Sequence, residues 1–535
     1  RIITRCPEIQ SARISVGDSP ADSGIVSRVE ICRGVKNSMN ENLNLVFGDI
    51  HNHNAHGYGV GSIERSVDIA RSHLDFFAFT GHSSWHDLGT FGEGGEGHFN
   101  DGFKRLAETW PRVQRVIADS NRDQEFCSFL GFEWHSNRFG DQCVVFPDDY
   151  QPICYAQSVK ELRRFCLSKS ALMIPHHLAY MQGLRGVNWG EFEESCTPVV
   201  EIYSWHGNSE DDRGPYPMIS GSPGGRRTSN TVRQALADGL RFGFVASSDN
   251  HAGFPGAYGE GLMGALVADL TRPAILEAIR DRRTYALTGD RIELGFTVNG
   301  ALMGDTIEVG EDIEVNFTVA GRDEIEVVEI VQDGVVVHRS YAVEDTPSDT
   351  AFAQSFQIRL EWGWGPWGPL SMNRITDWDL DLTVEQGRIE RFFPCLASGP
   401  FDEDRRHRLT PIGDNHLTIR SYSSRPGAFR ENPNHSVVLE IAGSAKTTFK
   451  VKMAKPSEGS TAYSAADLFA ASQGQHTGGY PSESYLWHRI LPAAATRVSN
   501  KCTLPLPGTR SNVYLRVKQK NGHMAWSSPI FINYR

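Results

Sequence analysis

Histidines and carboxylates in this chain recur at one kind of address, just past the end of an apolar, strand-like run. The series is FGDIHNH (ending at His53), FAFTGH (His82), FLGFEWH (His135, with Glu133 inside it), LMIPHH (His177), VVEIYSWH (His206) and FVASSDNH (His251). A lone histidine at a strand end is ordinarily a solvated loop residue. A series of them predicts strands whose C-terminal ends converge on one metal-filled mouth, the place where barrels of alternating strands and helices keep their chemistry. His51-x-His53 alternates on an extended segment, so both imidazoles can face one side. Asp249-x-His251 is a second two-residue claw, and Glu133 offers a carboxylate able to bridge two cations. Neutral imidazoles with carboxylates suit Zn²⁺, Mn²⁺ or Fe, as two or three divalent ions. Close cations sharing a carboxylate generate a hydroxide nucleophile near neutral pH and clamp the oxygens of a phosphoryl or acyl centre.

The elements that must position these groups alternate. Strand LVFGDI is followed by SIERSVDIARSHL, where Ile63, Val67, Ala70 and Leu74 recur at helical spacing after Ser62, a predicted N-cap. Strand DFFAFT and a helix around DGFKRLAETWPRVQRVIAD come next, with Pro111 expected to kink or split that helix. Further pairs are FCSFLGF, VKELRRFCLS before ALMIP, PVVEIYS, TVRQALADGL before FGFVAS, and GALVA before TRPAILEAIRDR. Such repetition predicts a parallel α/β sheet or barrel. Residues 86–101 and 206–230 are long, Gly- and Pro-rich interruptions that leave from His-bearing strand ends, and are read as lids. Beyond about residue 291 the pattern changes to period two, with DG and NG turns between strands, which reads as a β-sandwich. The expected organisation is an N-terminal extension over 1–44, a metal-binding barrel over 45–290 and a β-sandwich-like region with insertions over 291–535.

Composition narrows the function classes. A chain of 535 residues is too long for one core, and about two to four domains are expected. With 39% hydrophobic and 22% charged residues and a net charge of −12, it carries no nucleic-acid footprint. No apolar run reaches the ~18 residues of a membrane span. The cysteines are scattered without a CxxC, which implies neither a zinc ribbon nor a disulfide framework and leans towards a reducing, cytoplasmic compartment; those in FCSFLGF and FPCL read as inert core thiols. No Walker loop, Rossmann glycine pattern or Ser-His-Asp order emerges.

FGDIHNH, FTGHSSW, GFEWHS, IPHH and SSDNHAGFPG, in that order, resemble the metal motifs of the polymerase-and-histidinol-phosphatase (PHP) superfamily. More narrowly, GLRFGFVASSDNHAGFPGAYGEG, RRTYALTGDRIELGFTVNG and the closing AWSSPI resemble its DUF3604 branch. The resemblance implies an α/β fold, a distorted (β/α)7 barrel, followed here by the all-β C-terminal region. It implies that His51, His53, Glu133 and Asp249 bind a first metal, that Glu133 bridges to a second held by His206 and one of His176 and His177, and that His82 and His251 serve a third. Two departures bear on the third ion: Gly81 stands where the family commonly has Asp, and Gly59 occupies the spacing of a further His, His56 being the nearest candidate.

Strand alternation would put the rings of His176 and His177 on opposite sides, with His177 preferred as the ligand. Asp49 is expected to orient an imidazole N–H, Glu201 to support from behind, and His86, His98 and His135 to be loop histidines or substrate contacts. Arg226, Arg227 and Tyr258 are taken as binding an anionic small-molecule substrate at the mouth. The resulting expectation is a metal-dependent hydrolase in which a metal-bridging hydroxide attacks a phosphate mono- or diester, with His82, His206 or the spare His176 protonating the leaving oxygen. Alternative electrophiles are carboxylic esters, carbamates and amides. A different class, a non-catalytic glycan- or partner-binding protein, is motivated by the Trp-rich EWGWGPWGP stretch beginning at Glu361, for which structural packing is the simpler reading.

Overall fold

The computed structural model describes residues 35–37, 40–218, 224–343, 346–347, 350–364, 375–399, 401–423, 434–505 and 510–534. Several of its helices start where the sequence places a hydroxyl. Ser62, Ser158, Thr231 and Thr271 each accept a hydrogen bond from a backbone N–H three residues on, capping helices Ile63–His73, Val159–Ser168, Val232–Ala237 and Arg272–Arg280. Residues 86–101 are shorter as a loop than expected, because the long helix begins at Glu96 and runs unbroken to Ser120. Pro111 does not split it: the residue faces solvent, opposite the buried stripe of Leu106, Trp110, Val113 and Ile117.

Strand Asn40–Asp49 pairs in parallel with Phe76–Trp85, and that strand in parallel with Cys127–His135. The expected parallel rhythm then breaks. Only residues 136–140 separate Cys127–His135 from Asp141–Val145, too few for a crossover, so the next strand returns antiparallel. A second antiparallel pairing turns Leu172–His176 back into the original direction. Val199–Ser204 and Gly243–Ala246 are parallel to each other but belong to a separate three-stranded sheet. On the other flank Leu262–Val267 lies antiparallel to Asn40–Asp49 and Thr284–Leu287 antiparallel to Leu262–Val267. The protein is therefore a mixed α/β structure rich in sheet, and among the described residues its hydrogen bonds do not form a continuous ring of parallel strands.

Alternate side chains nevertheless gather the two sheets round one core. Val46, Ala78, Phe129 and Ile174 meet Val199 and Val245, with Ile275 and Ile279 of helix Arg272–Arg280 completing the cluster. Their neighbours Phe47, Phe77, Phe79, Leu130 and Phe132 point the other way, against Ile63, Val67, Leu106, Val113 and Ile117 of the covering helices. This two-sided burial is why the strands read as continuous apolar runs.

The large sheet continues past residue 290. Met524–Ser527 pairs with Thr284–Leu287, and Arg510–Gln519 and Ile530–Tyr534 follow, so the last strands extend the sheet that carries Asn40–Asp49. Between them lie a four-stranded sheet and two five-stranded sheets. Phe356, Ile358, Leu360 and Trp362 of one five-stranded sheet share a core with Trp378, Leu380, Leu382 and Val384 of the other. Strand Thr376–Glu385 alternates buried and half-buried positions along its length, the period-two signature. Trp362 is buried and donates to Ser421 Oγ (2.9 Å), so it packs and offers no sugar platform; residues 365–369 of the Trp-rich stretch lie outside the described residues. The DG turn falls at Asp333-Gly334, both with positive φ (49° and 75°), joining antiparallel strands Ile325–Gln332 and Val335–Ser340.

A buried carboxylate ties these parts together. Asp290 accepts from Arg359 Nη2 (3.1 Å), Tyr258 Oη (2.9 Å), Gln519 Nε2 (2.8 Å) and Asn521 Nδ2 (2.7 Å). Burial pushes its pKa up, but the Arg359 guanidinium, His523 and the donated hydrogen bonds outweigh that and hold it well below the usual carboxylate value. Breaking such a pair strands the partner charge, so Asp290→Ala is expected to cost about 3–5 kcal/mol, read as a lower urea midpoint. Because the folded-state pKa is depressed, this contribution is complete above the ordinary carboxylate pKa of about 4 and is lost as pH falls below it. The wild-type midpoint should fall faster than that of Asp290→Ala over that acid window.

Candidate metal centre

The two claws foreseen in the sequence lie side by side because their backbones are bonded to each other. Asp249 N–H donates to His51 O (2.8 Å) and His53 N–H to Asn250 O (2.8 Å). Asp49 fastens the same junction: its carboxylate accepts from the backbone N–H of His51 (3.1 Å), Ser248 (3.1 Å) and Gly256 (2.8 Å) and from Ser248 Oγ (2.5 Å). Asp49 thus organises backbone and does not touch an imidazole, contrary to expectation. Asp249 stands at φ 51°, a left-handed conformation that Asp tolerates better than most residues, and this aims its carboxylate back at the claw.

Around that junction the predicted ligands come together. Asp249 Oδ1 lies 3.0 Å from His53 Nε2 and 3.3 Å from His51 Nε2, and its Oδ2 lies 3.1 Å from His206 Nε2. Glu133 Oε2 faces His53 Nε2 and His82 Nε2, each at 3.5 Å, while Oε1 is 2.6 Å from His176 Nε2. His251 Nε2 faces His82 Nε2 at 3.1 Å, and His51 Nε2 faces His53 Nε2 at 3.0 Å. Within each of the sets His51/His53/Asp249, His53/His82/His251, His82/Glu133/His135 and Glu133/Asp141/His176/His177, one donor atom per residue lies within 4.8 Å of the others.

Several of these rings have their far nitrogen occupied. His51 Nδ1 is 3.0 Å from Glu201 Oε2, His251 Nδ1 is 2.9 Å from Asp249 O, and His206 Nδ1 is 2.7 Å from Tyr180 Oη. A ring that donates from Nδ1 presents an Nε2 lone pair inward, the tautomer a metal ligand needs. Burial, reinforced by neighbouring imidazoles, drives His53, His82 and His177 well below the usual histidine pKa and brings His176 and His251 to about 4. His51 is the exception: burial lowers it, but Cys143, Asp249 and Glu201 more than compensate and raise it. Burial also lifts Glu133 to about 7 against the pull of His135 and His51, while Asp249 is held well below the usual range, burial being outweighed by His51, His206 and His53. Glu133 Oε2 and Nδ1 of His53, His82, His176 and His177 are buried without a hydrogen-bond partner. Lone pairs converging on one another with orphaned donors and acceptors around them fit divalent cations, and the His/Glu/Asp donor set is of the right type for Zn²⁺, Mn²⁺ or Fe.

Several expectations need correction. His176 and His177 both reach the cluster, because His177 follows the strand end with φ 58° and escapes alternation. His177 stacks on Tyr180 and lies 3.6 Å from Asp141 Oδ2. Tyr258 is drawn into the Asp290–Arg359 network, and Arg226 turns its guanidinium to the carbonyls of Asn208, Gly214 and Pro215 (3.1–3.4 Å). The backbone N–H of Arg227 donates to Ala179 O (2.9 Å). A Cβ at Gly59 would meet the backbone carbonyl of His251 at 2.7 Å, so that position has no room for a ligand side chain, and one at Gly81 would meet the ring of Phe79 at 2.5 Å. His56 bonds instead to Thr109 Oγ1 (2.8 Å), His86 stacks on Trp134, and His98 lies beside Tyr58.

The residues missed in the sequence are Asp141, Arg185 and Tyr58, and His135 was read as a loop histidine or substrate contact. His135 is fully buried, with Nε2 3.3 Å from Glu133 Oε2 and Nδ1 3.2 Å from Asp141 Oδ2. Asp141 also takes Arg185 Nε (2.9 Å) and Nη2 (2.5 Å), and these charges hold it ionised despite burial. The ring of Tyr58 stacks on His82 with centroids 3.4 Å apart. His135 ends the same strand as Glu133, a signal that was readable; Asp141 has no strand-end address and comes in on the antiparallel return.

No family model matches the chain. Uncharacterized proteins of Chlamydia pneumoniae, Chlamydia muridarum and Chlamydia trachomatis are similar to it, at 27%, 28% and 28% identity over 43–44% of this chain. The matched part is 40–41% of those relatives' own length. Among solved structures, a two-domain protein of Bacteroides vulgatus, described as containing a predicted PHP-like metal-dependent phosphoesterase, is similar at 11% identity and TM-score 0.35, over 82% of this chain and 99% of that one. Among the described residues, no helix is long and apolar enough to cross a membrane.

Glu201 touches His51 from behind the cluster, so its removal tests ligand orientation without deleting a donor. Glu201→Gln is expected to weaken Zn²⁺ binding by about 10- to 100-fold in a chelator competition. Unchanged affinity would mean that His51 holds no ion.

Proposed function

We propose that this chain is a metal-dependent hydrolase of the PHP type, acting on a phosphate mono- or diester. The observation that carries the reading is the convergence of buried His51, His53, His82, Glu133, His176 and Asp249 with the partly exposed His251, drawn from strand ends far apart in sequence. The same reading takes residues 45–290 as a distorted (β/α)7 barrel, supported by the core that alternate residues of both sheets share, and residues 291–535 as an accompanying β region. Divalent cations held at the cluster would supply Lewis acidity and lower the pKa of water.

The chain's own groups divide the remaining work. Glu201, Asp141 and the Asp249 carbonyl fix ring orientations from outside. His82 is clamped between the rings of Tyr58 and His53 and is suited to holding an ion rather than to moving protons. His206 is more open, its side chain 13% exposed, with Tyr180 Oη on one nitrogen and Asp249 on the other. It is the member of the predicted proton-donor trio best placed to protonate a leaving oxygen. Arg185, 22% exposed at its side chain, stands beside Asp141 and His177 and over the ring of Trp85 (4.9 Å). A guanidinium at the rim favours an anionic electrophile and so a phosphate over a neutral ester.

The decisive test is a panel of aryl phosphate mono- and diesters, aryl acetates and aryl carbamates on protein loaded with Zn²⁺ or Mn²⁺. Phosphate-ester turnover is expected, and Glu133→Gln should abolish it together with most of the bound metal in elemental analysis. A preference for acyl substrates would transfer the reading to an esterase at the same centre. A chain that binds no metal would remove it altogether. Arg185→Lys keeps a charge for Asp141 but loses the planar fork, and is expected to raise KM for the aryl phosphate about tenfold with a smaller change in kcat.

A further inference from the structure

The antiparallel strand Asp141–Val145 carries a thiol as well as a carboxylate towards the cluster. Cys143 is paired in register with Glu133 on one side and Ile174 on the other, and is 1% exposed. Its Sγ, a ring nitrogen of His51 and a ring nitrogen of His176 lie within 4.8 Å of one another. His176 is itself 1% exposed, and its Nδ1 has no hydrogen-bond partner. The contrast with Cys127 is instructive: that thiol, on the neighbouring strand, points to Leu270 O at 3.6 Å, at the end of the strand away from the histidines.

We infer that Cys143 is a metal ligand, acting with His51 and His176 at one end of the cluster. The inference rests on the reading of that cluster as a metal centre and deepens it by giving the centre a metal preference. As the metal–sulfur bond forms, the S–H bond breaks and its proton leaves to solvent. A thiolate beside two imidazoles is a soft, nitrogen-rich donor set that selects Zn²⁺ over Mn²⁺ and Mg²⁺, which carboxylates alone would accept. It also makes the centre sensitive to thiol chemistry that an all-His/carboxylate centre would ignore.

X-ray absorption at the zinc edge of the unaltered, Zn²⁺-loaded chain tests this without a substitution. A sulfur scatterer at the ~2.3 Å of a zinc–thiolate bond is expected. In parallel, the Co²⁺-loaded protein should show a thiolate-to-cobalt charge-transfer band that Cys143→Ser loses while still binding cobalt. Zinc bound by nitrogen and oxygen alone, with identical cobalt spectra for the two proteins, overturns the assignment of Cys143 and leaves the metal centre standing. Failure of the chain to bind zinc or cobalt at all overturns both.

Discussion

Imidazole nitrogens facing one another at the end of a largely buried cluster are the constraint on which this structure turns. His51 against His53 and His82 against His251 bring ring nitrogens within 3.0 and 3.1 Å of each other, with Glu133 and Asp249 alongside. Rings that all keep their protons on Nδ1 repel in this arrangement, and burial opposes protonating more than one of them. Positive charge shared among them resolves the conflict. The surrounding architecture then reads as a means of holding the donors in place against that repulsion.

That holding is done mostly by backbone and by two flanking carboxylates, Asp49 and Asp141. Asp49 gathers N–H groups from the strand end and from the segment containing Gly256, and so fixes the spacing between the two claws. Asp141 does the equivalent on the far side, fastening His135 and Arg185 to one oxygen. Both are almost wholly buried, where an unpaired carboxylate would be very costly, and both are fully partnered. The cluster is thus bracketed by two saturated acids, while Glu133 Oε2 and the Nδ1 atoms of His53, His82, His176 and His177 are left without a hydrogen-bond partner.

How far this was readable from sequence depends on where each residue sits. His51, His53, Glu133, Asp249 and His251 announce themselves because strand ends and two-residue claws have a fixed periodicity. The helix start at Ser62 was legible from the hydroxyl before the apolar stripe. Asp141 and Cys143 were not, since their approach depends on an antiparallel return forced by a short connection, which strand–helix repetition does not encode. The pairing of His177 with the cluster turned on a single positive φ that breaks alternation. Arg226 and Tyr258 were misjudged because proximity in sequence to the mouth was taken for proximity in space, whereas local carbonyls and Asp290 compete for them.

The continuity of the large sheet carries a consequence for biogenesis. Strand Thr284–Leu287 is covered by Met524–Ser527, whose partner Arg510–Gln519 leads on to Ile530–Tyr534. During translation the half of the protein that bears the clustered strand-end histidines emerges well before the segment that will sit on that flank. Until it arrives, the nascent polypeptide displays a bare row of amides and carbonyls, a template for pairing with another chain. Chaperone dependence in this protein should therefore concentrate in the interval between the ribosome's passage of residue 290 and its passage of residue 527.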